Sequence, residues 1–321
     1  MFKLSPIIHY TILTYILSWS ILLSLHLLNV KWDSPSAFYA IGLGYMSSPA
    51  IVSLLLGKWV YGISWADLGL SWQDISWKAI RNITFFFLAW IFLFFSLYFI
   101  LGNILEISWW GKLNFTKEFF RKTYTVYLQK QGVSPQQIEL VISYGPFFTL
   151  ITGIISSIFL GYFFSLPFYV GQELGWRGFL QKQALRLGFW KSNLLVGAIW
   201  GIWLLPLTIL GKSFPSYAWG GIPVMLIHYL IFSFWLCFLR YYSGSILGSA
   251  IFHGMIAGFS QFLLLYIEEG NELIKNNEGI NSTLALGILT IVILSLHRNF
   301  ISHYPQIFVA SSVAQQQNQE L

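Results

Sequence analysis

The sequence predicts an all-α fold, a multi-pass membrane helical bundle of about eight transmembrane helices, and three observations predict it. Lys and Arg number 18 and Asp and Glu 12 in 321 residues, so 9% of side chains are charged, against roughly 25% in an ordinary soluble domain. Apolar residues make up 56% of the chain, which leaves too little polar cover for a water-facing surface of this size. Those apolar residues fall in long uncharged runs rather than in the ten-residue alternation of a closed barrel, so the backbone amides must find their partners inside helices. The same arithmetic excludes intrinsic disorder and a dedicated nucleic-acid module, since no basic stripe stands apart from apolar sequence.

Runs of about 18 or more mostly apolar residues give eight candidate spans, near residues 7–28, 37–56, 83–105, 144–170, 193–210, 222–239, 244–267 and 283–297. The first follows MFKLSPIIHY and is read as a retained span, because no small-residue cleavage site precedes Lys31. The third has no charge between Arg81 and Glu106; at about 1.5 Å per residue it exceeds a hydrocarbon core of roughly 30 Å and must span. The polar excursion from Glu106 to Ser143 mixes charges of both signs and reads as an extramembrane loop with an amphipathic interfacial helix. Residues 1–310 then form a single transmembrane domain, and 311–321, SSVAQQQNQEL, a disordered polar tail.

With the N-terminus inside, these spans put 10 of the 18 basic residues on the inner face, and five of the remaining eight lie in the long loop. The short loops therefore divide 10 to 3 and favour both termini cytoplasmic, as for an integral protein of the plasma membrane. Cys237 is the only cysteine, so no intrachain disulfide or thiolate metal cage can form, and any metal must use His or carboxylates.

The polar residues that interrupt the apolar runs carry the functional signal. In GQELGWRGFL, Gln172, Glu173 and Arg177 follow a long apolar stretch. Glu173 and Arg177 are four apart with the acid first, the arrangement an ion pair on one helix face prefers. Such a pair reads either as a simple interfacial closure of the fourth span or as part of an intramembrane site. Glu173 lies 13 residues before Arg186, Leu204 lies 13 after Lys191, and His253 lies 13 after Arg240. If those basic residues mark one face, the three positions share a depth of roughly 20 Å and converge on one cavity. His253 falls mid-span, where imidazole needs a partner, either a structural hydrogen bond or a site. His228 has no motif around it and reads as packing. His9 and His26 carry no spacing signal, and His297 and His303 sit at the C-terminal edge.

Together these segments resemble the CAAX prenyl protease and bacteriocin-processing (CPBP, Abi) family of intramembrane proteases. Its Glu-Glu-x-x-x-Arg motif is met by QELGWRG at Gln172–Gly178, its WxxWHxP motif by WGIWLLP at Trp200–Pro206, and its His-x-x-x-Asn motif by HGMIA at His253–Ala257. DLGLSW at Asp67–Trp72 also resembles a family segment, and the resemblance extends over about residues 40–265. It implies an eight-helix bundle with a polar cavity, and cleavage of peptide bonds in or near the membrane.

Carried over position by position, the resemblance fails where Gln172 replaces the first Glu, Leu204 the second-motif His and Ala257 the third-motif Asn. An amide cannot serve as general base. Leu204 can neither ligate a metal nor hold an oxyanion. One carboxylate and one imidazole fall short of the three protein ligands of catalytic zinc, so no cofactor is expected; a divalent metal such as zinc belongs only to an active protease. The reading is a family member with a degenerate active site, with a non-catalytic role in binding or shielding a membrane-embedded or lipidated polypeptide. The alternatives are an active intramembrane endopeptidase using Glu173 and His253 as residual catalytic residues, with Glu173 and Arg177 otherwise a structural ion pair, and a transporter. The last is the weaker, since no inverted repeat is evident.

Overall fold

The structure, a computed structural model, describes residues 5–32, 34–64, 67–70, 76–164, 166–297, 301 and 304. The polar tail 311–321, Arg298, His303 and Ser71–Trp72 lie outside the described residues. Helix starts follow local chemistry. The Ser5, Ser34 and Ser76 hydroxyls accept the amides of Ile8, Ala37 and Ala79, and Pro6 and Pro35 occupy first-turn positions whose amides have no partner to lose. These caps open α1 (Pro6–Leu27), α2 (Pro35–Val60) and α3 (Trp77–Ile104).

The expected extramembrane loop contains two helices, α4 (Lys117–Lys130) and α5 (Pro135–Ser143). Their apolar faces, Phe120, Tyr124, Ile138 and Ile142, close over Leu265 and Tyr266. A short antiparallel pair, Lys112 opposite Glu268 and Leu113 opposite Ile267, ties this loop to the segment after residue 264.

Eight helical stretches among the described residues are long and apolar enough to cross a bilayer, in register with the eight expected from sequence. The fourth and fifth differ in detail. α6 (Gly145–Phe163) is followed by α7 (Leu166–Glu173), and beyond residue 170, where a span end was expected, the chain winds on in widened turns over Leu174–Leu180 and a last turn Gln181–Ala184. It reverses at Gly188, whose φ of +75° suits glycine, and returns as α8 (Gly188–Ile209). α9 (Ala218–Ser243), α10 (Ile246–Leu263) and α11 (Ile280–Leu296) complete the bundle. The run containing α10 is the axis of the fold, 76% of its apolar window being buried against 22% for α1. It packs against α6, α7 and α9. Close approach to α6 depends on Gly161, where a β-carbon would stand 2.5 Å from Met255 Cγ and 2.9 Å from the Ile251 carbonyl oxygen.

Hydrogen bonds sort the connections into two ends. At one, Lys212 donates to the Trp32 carbonyl at 3.0 Å, the Ser216 amide to Glu272 at 2.9 Å, and the Asn271 amide to the Trp109 carbonyl at 2.9 Å. At the other, Lys182 pairs with Asp67 at 2.9 Å, Arg240 donates to the Leu68 carbonyl at 3.3 Å, and the Ile246 amide to the Gly69 carbonyl at 3.0 Å. The long loop, with α4 and α5, belongs to the first end.

Candidate functional site

The three motif segments meet. α7 delivers Gln172 and Glu173 at the start of its widened turns, an irregularity frequent at functional sites. Two glycines let this segment seat deeply: a β-carbon at Gly175 would fall 2.2 Å from the Tyr10 hydroxyl and 2.7 Å from Pro49, and one at Gly178 would fall 2.7 Å from the Leu68 carbonyl oxygen. Glu173 and Arg177 consequently have no exposed surface. The Arg177 Nη1 lies 3.2 Å from Oε2 of Glu173 and donates a hydrogen bond to Oε1 at 3.4 Å, the oxygen that also lies 3.0 Å from Nδ1 of His253, 80 residues along the chain on α10. Arg177 has further compensation from the Trp200 ring, 4.5 Å beneath its guanidinium. The acid is thus shared between a permanent cation and an imidazole. An isolated charge in such a place would be prohibitive, and this grouping makes it tolerable.

Beside this cluster lies a cavity of about 510 Å³. Gln172, Leu204, His253 and Ala257 all line it, whereas Glu173 and Arg177 do not. The structure therefore brings together every residue that the motifs single out, but it splits them between a sealed charge cluster and a cavity wall, with His253 joining the two. Rings enclose the imidazole, Tyr169 at 4.2 Å, Trp200 at 5.2 Å and Phe232 at 5.3 Å between centroids. Among the described residues the Gln172 side-chain amide bonds only the Met46 sulfur, 3.8 Å away. Trp32, Lys212 and Asn277 line the cavity's outer part, so its mouth lies at the end of the bundle that carries the long loop.

His228, expected to pack structurally, bonds the Thr283 hydroxyl at 3.0 Å through Nδ1 and also lines the cavity. His9 bonds the Tyr61 hydroxyl at 2.8 Å, away from the cavity. Glu278 escaped the sequence reading. It lines the cavity and accepts the Tyr229 hydroxyl at 2.6 Å. The residue falls in the polar run NELIKNNEG between two spans, where no hydrophobic periodicity distinguishes one acid from the others. The one available signal was its place next to the start of an apolar helix.

A zinc ion would find a poor donor set here. Leu204 and Ala257 offer no ligand and the His253 Nδ1 is taken by Glu173. Among the described residues no group of three or more His, Cys, Asp and Glu is placed to hold a metal.

The fold and site define a polytopic helical membrane protein with an acid, an arginine and a histidine clustered against an internal cavity. Residues 152–259 match the family of type II CAAX prenyl endopeptidase Rce1-like proteins. That stretch contains all three motif segments, so the resemblance read from the motifs holds over residues 152–259, which are similar to CAAX prenyl endopeptidases. No curated protein matches the chain.

Proposed function

We propose that this membrane protein is a non-catalytic member of its family, which binds or shields a membrane-embedded or lipidated polypeptide in the 510 Å³ cavity. One observation carries this reading. The sole carboxylate left in the motifs, Glu173, is sealed behind His253 and neutralised by Arg177 instead of facing the cavity, so it cannot meet a water and a peptide bond there without dismantling a buried charge cluster. Leu204 and Ala257 make the wall greasier. An acyl or prenyl chain suits such a wall, each buried methylene contributing roughly 0.8 kcal/mol. With both termini cytoplasmic, as the short-loop charges favour, the mouth opens away from the cytoplasm.

The rival reading, an active intramembrane endopeptidase, keeps one supporting observation. The Glu173 to His253 hydrogen bond of 3.0 Å is the contact by which an acid orients an imidazole base, and His253 does line the cavity. Purified full-length protein in nanodiscs, given a fluorogenic prenylated peptide, separates the two. The binding reading expects photo-crosslinking of the peptide to the cavity without hydrolysis, and capture that survives in folded Glu173→Gln protein. Turnover that is abolished by both Glu173→Gln and His253→Ala would establish the enzyme instead.

A further inference from the structure

Two oxygen atoms in the cavity wall have no donor among the described residues. Glu278 Oε2 and the side-chain oxygen of Asn277 are both buried without a hydrogen-bond partner, although both residues line the cavity and are adjacent in the chain. The other Glu278 oxygen accepts the Tyr229 hydroxyl at 2.6 Å, and the Ser213 side chain also bonds this carboxylate. Buried acceptors are nearly always satisfied, and a carboxylate oxygen without a donor is a costly exception.

The basic side chains on the wall do not meet the need. Lys212, the one Lys or Arg on the described wall, donates to the Trp32 carbonyl at 3.0 Å and stands over the Trp32 ring at 5.7 Å. The two wall histidines are engaged through Nδ1, His228 with Thr283 and His253 with Glu173. A hard metal ion is a poor candidate, because one carboxylate and one amide fall far short of the six to eight oxygens that calcium takes.

A primary ammonium fits. It carries three donors on a compact charge, enough for Glu278 Oε2 and the Asn277 oxygen with one to spare. Tyr229, whose hydroxyl fixes the carboxylate, packs its ring tilted against Trp200 with centroids 4.5 Å apart, so the approach is aromatic, as cations favour. A second hollow of about 440 Å³ adjoins the mouth, sharing Lys212, Ser213, Ser260 and Asn277 with the first and reaching Thr123 and Tyr127 on α4. It gives a path from the extramembrane helices to the acid.

We propose that Glu278 and Asn277 form an ammonium site at the outer part of the cavity, so that the occupant is an apolar chain bearing a primary amine. This rests on the binding reading above and specifies the chemistry of the ligand. An amine on a hydrophobic polypeptide and the amine of a phosphatidylethanolamine headgroup share that chemistry.

The test uses full-length protein in phosphatidylcholine nanodiscs, with dodecylammonium as probe and 1-dodecanol as the neutral chain of equal length. Binding is read from the fluorescence of Trp32, Trp200 and Trp203, which line the cavity. The amine is expected to bind at least tenfold tighter than the alcohol. Glu278→Gln should bring the ratio close to one, and Asn277→Ala should lower it several-fold, which keeps the test open if the first variant misfolds. Equal binding of amine and alcohol by the wild type would overturn the ammonium site and leave the apolar cavity standing; binding of neither would overturn both. Displacement of the amine by a hydrophobic peptide with a free N-terminus, but not by its acetylated form, supports the site with a polypeptide as the source. Displacement by phosphatidylethanolamine supports it with a lipid as the source.

Discussion

Breaking the Glu173–Arg177 pair tests whether the charge cluster is as closed as it looks. Both side chains are without exposed surface, with Nη1 3.2 Å from the carboxylate, and the Arg177 Nε and Nη2 are already without hydrogen-bond partners among the described residues. Glu173→Met therefore strands a guanidinium whose remaining compensation is the Trp200 face at 4.5 Å, and Arg177→Met strands a carboxylate that has only His253 at 3.0 Å. Each is expected to cost about 3–5 kcal/mol, the range for removing one partner of a buried pair. The double variant replaces both charges by apolar chains and leaves nothing stranded, so it should cost no more than either single change, a coupling of about 3 kcal/mol. Unfolding in mixed micelles by SDS titration, followed by tryptophan fluorescence, measures all three. Single variants that each lose less than about 1 kcal/mol, or a double variant that loses the sum of the two, would refute the picture of a mutually dependent cluster and would imply that water reaches Glu173.

Restoring the missing motif groups together, Gln172→Glu, Leu204→His and Ala257→Asn, is expected to produce measurable hydrolysis of a prenylated peptide where the parent shows none; product detection by mass spectrometry decides it. Gly161→Ala pushes a β-carbon to 2.5 Å from Met255 and 2.9 Å from the Ile251 carbonyl and should cost about 1–3 kcal/mol in the same SDS titration. At the other end of the bundle, burial tends to raise the Asp67 carboxyl, but the Ser64 hydroxyl and Lys182 outweigh it and hold it below its ordinary 3.8. Its folded value is the lower one, so its contribution is present above about pH 4 and fades as pH falls through the folded pKa. The contribution of this partly exposed pair should stay below about 1 kcal/mol. Comparing acid titrations of wild type and Asp67→Asn by hydrogen exchange at residues 67–70 should show the difference disappearing at low pH.

Much of the fold was legible because lipid constrains sequence so strongly: eight uncharged runs had to be helices, and eight suitable stretches are present among the described residues. The course of 166–184 was not legible. The sequence shows an apolar run ending in charges, and a helix that enters a protein interior writes the same pattern as one that reaches water. The difference lies in Gly175 and Gly178, whose close neighbours Tyr10, Pro49 and the Leu68 carbonyl come from other parts of the chain. At the site, the spacing argument put Glu173, Leu204 and His253 at one depth around one cavity; Leu204 and His253 do line it, since depth along a helix follows from counting residues, but in place of Glu173 the wall takes its neighbour Gln172. Facing does not: that Glu173 turns from the cavity while its neighbour Gln172 turns into it depends on the local widening of the helix. Glu278 was beyond such counting because it belongs to a connection, whose path no periodicity describes.

The division between wall and sealed cluster bears on why this sequence departs from the motifs where it does. The three departing positions, Gln172, Leu204 and Ala257, all line the cavity. Exchanging a polar group for an apolar or neutral one there leaves no partner charge behind, because the wall faces open volume. Glu173 and Arg177, which keep the motif, are fully buried against each other. Loss of either strands a charge at a cost comparable to a sizeable part of a typical fold's whole stability. His253 stands between, exposed to the cavity on one side and bonded to Glu173 on the other, and the cluster gives it a structural reason to remain even if no chemistry is asked of it. Retention of Glu173, Arg177 and His253 therefore does not by itself argue for catalysis, since packing energetics alone would hold them. The discriminating positions are those on the wall, where function, and not folding, sets the residue.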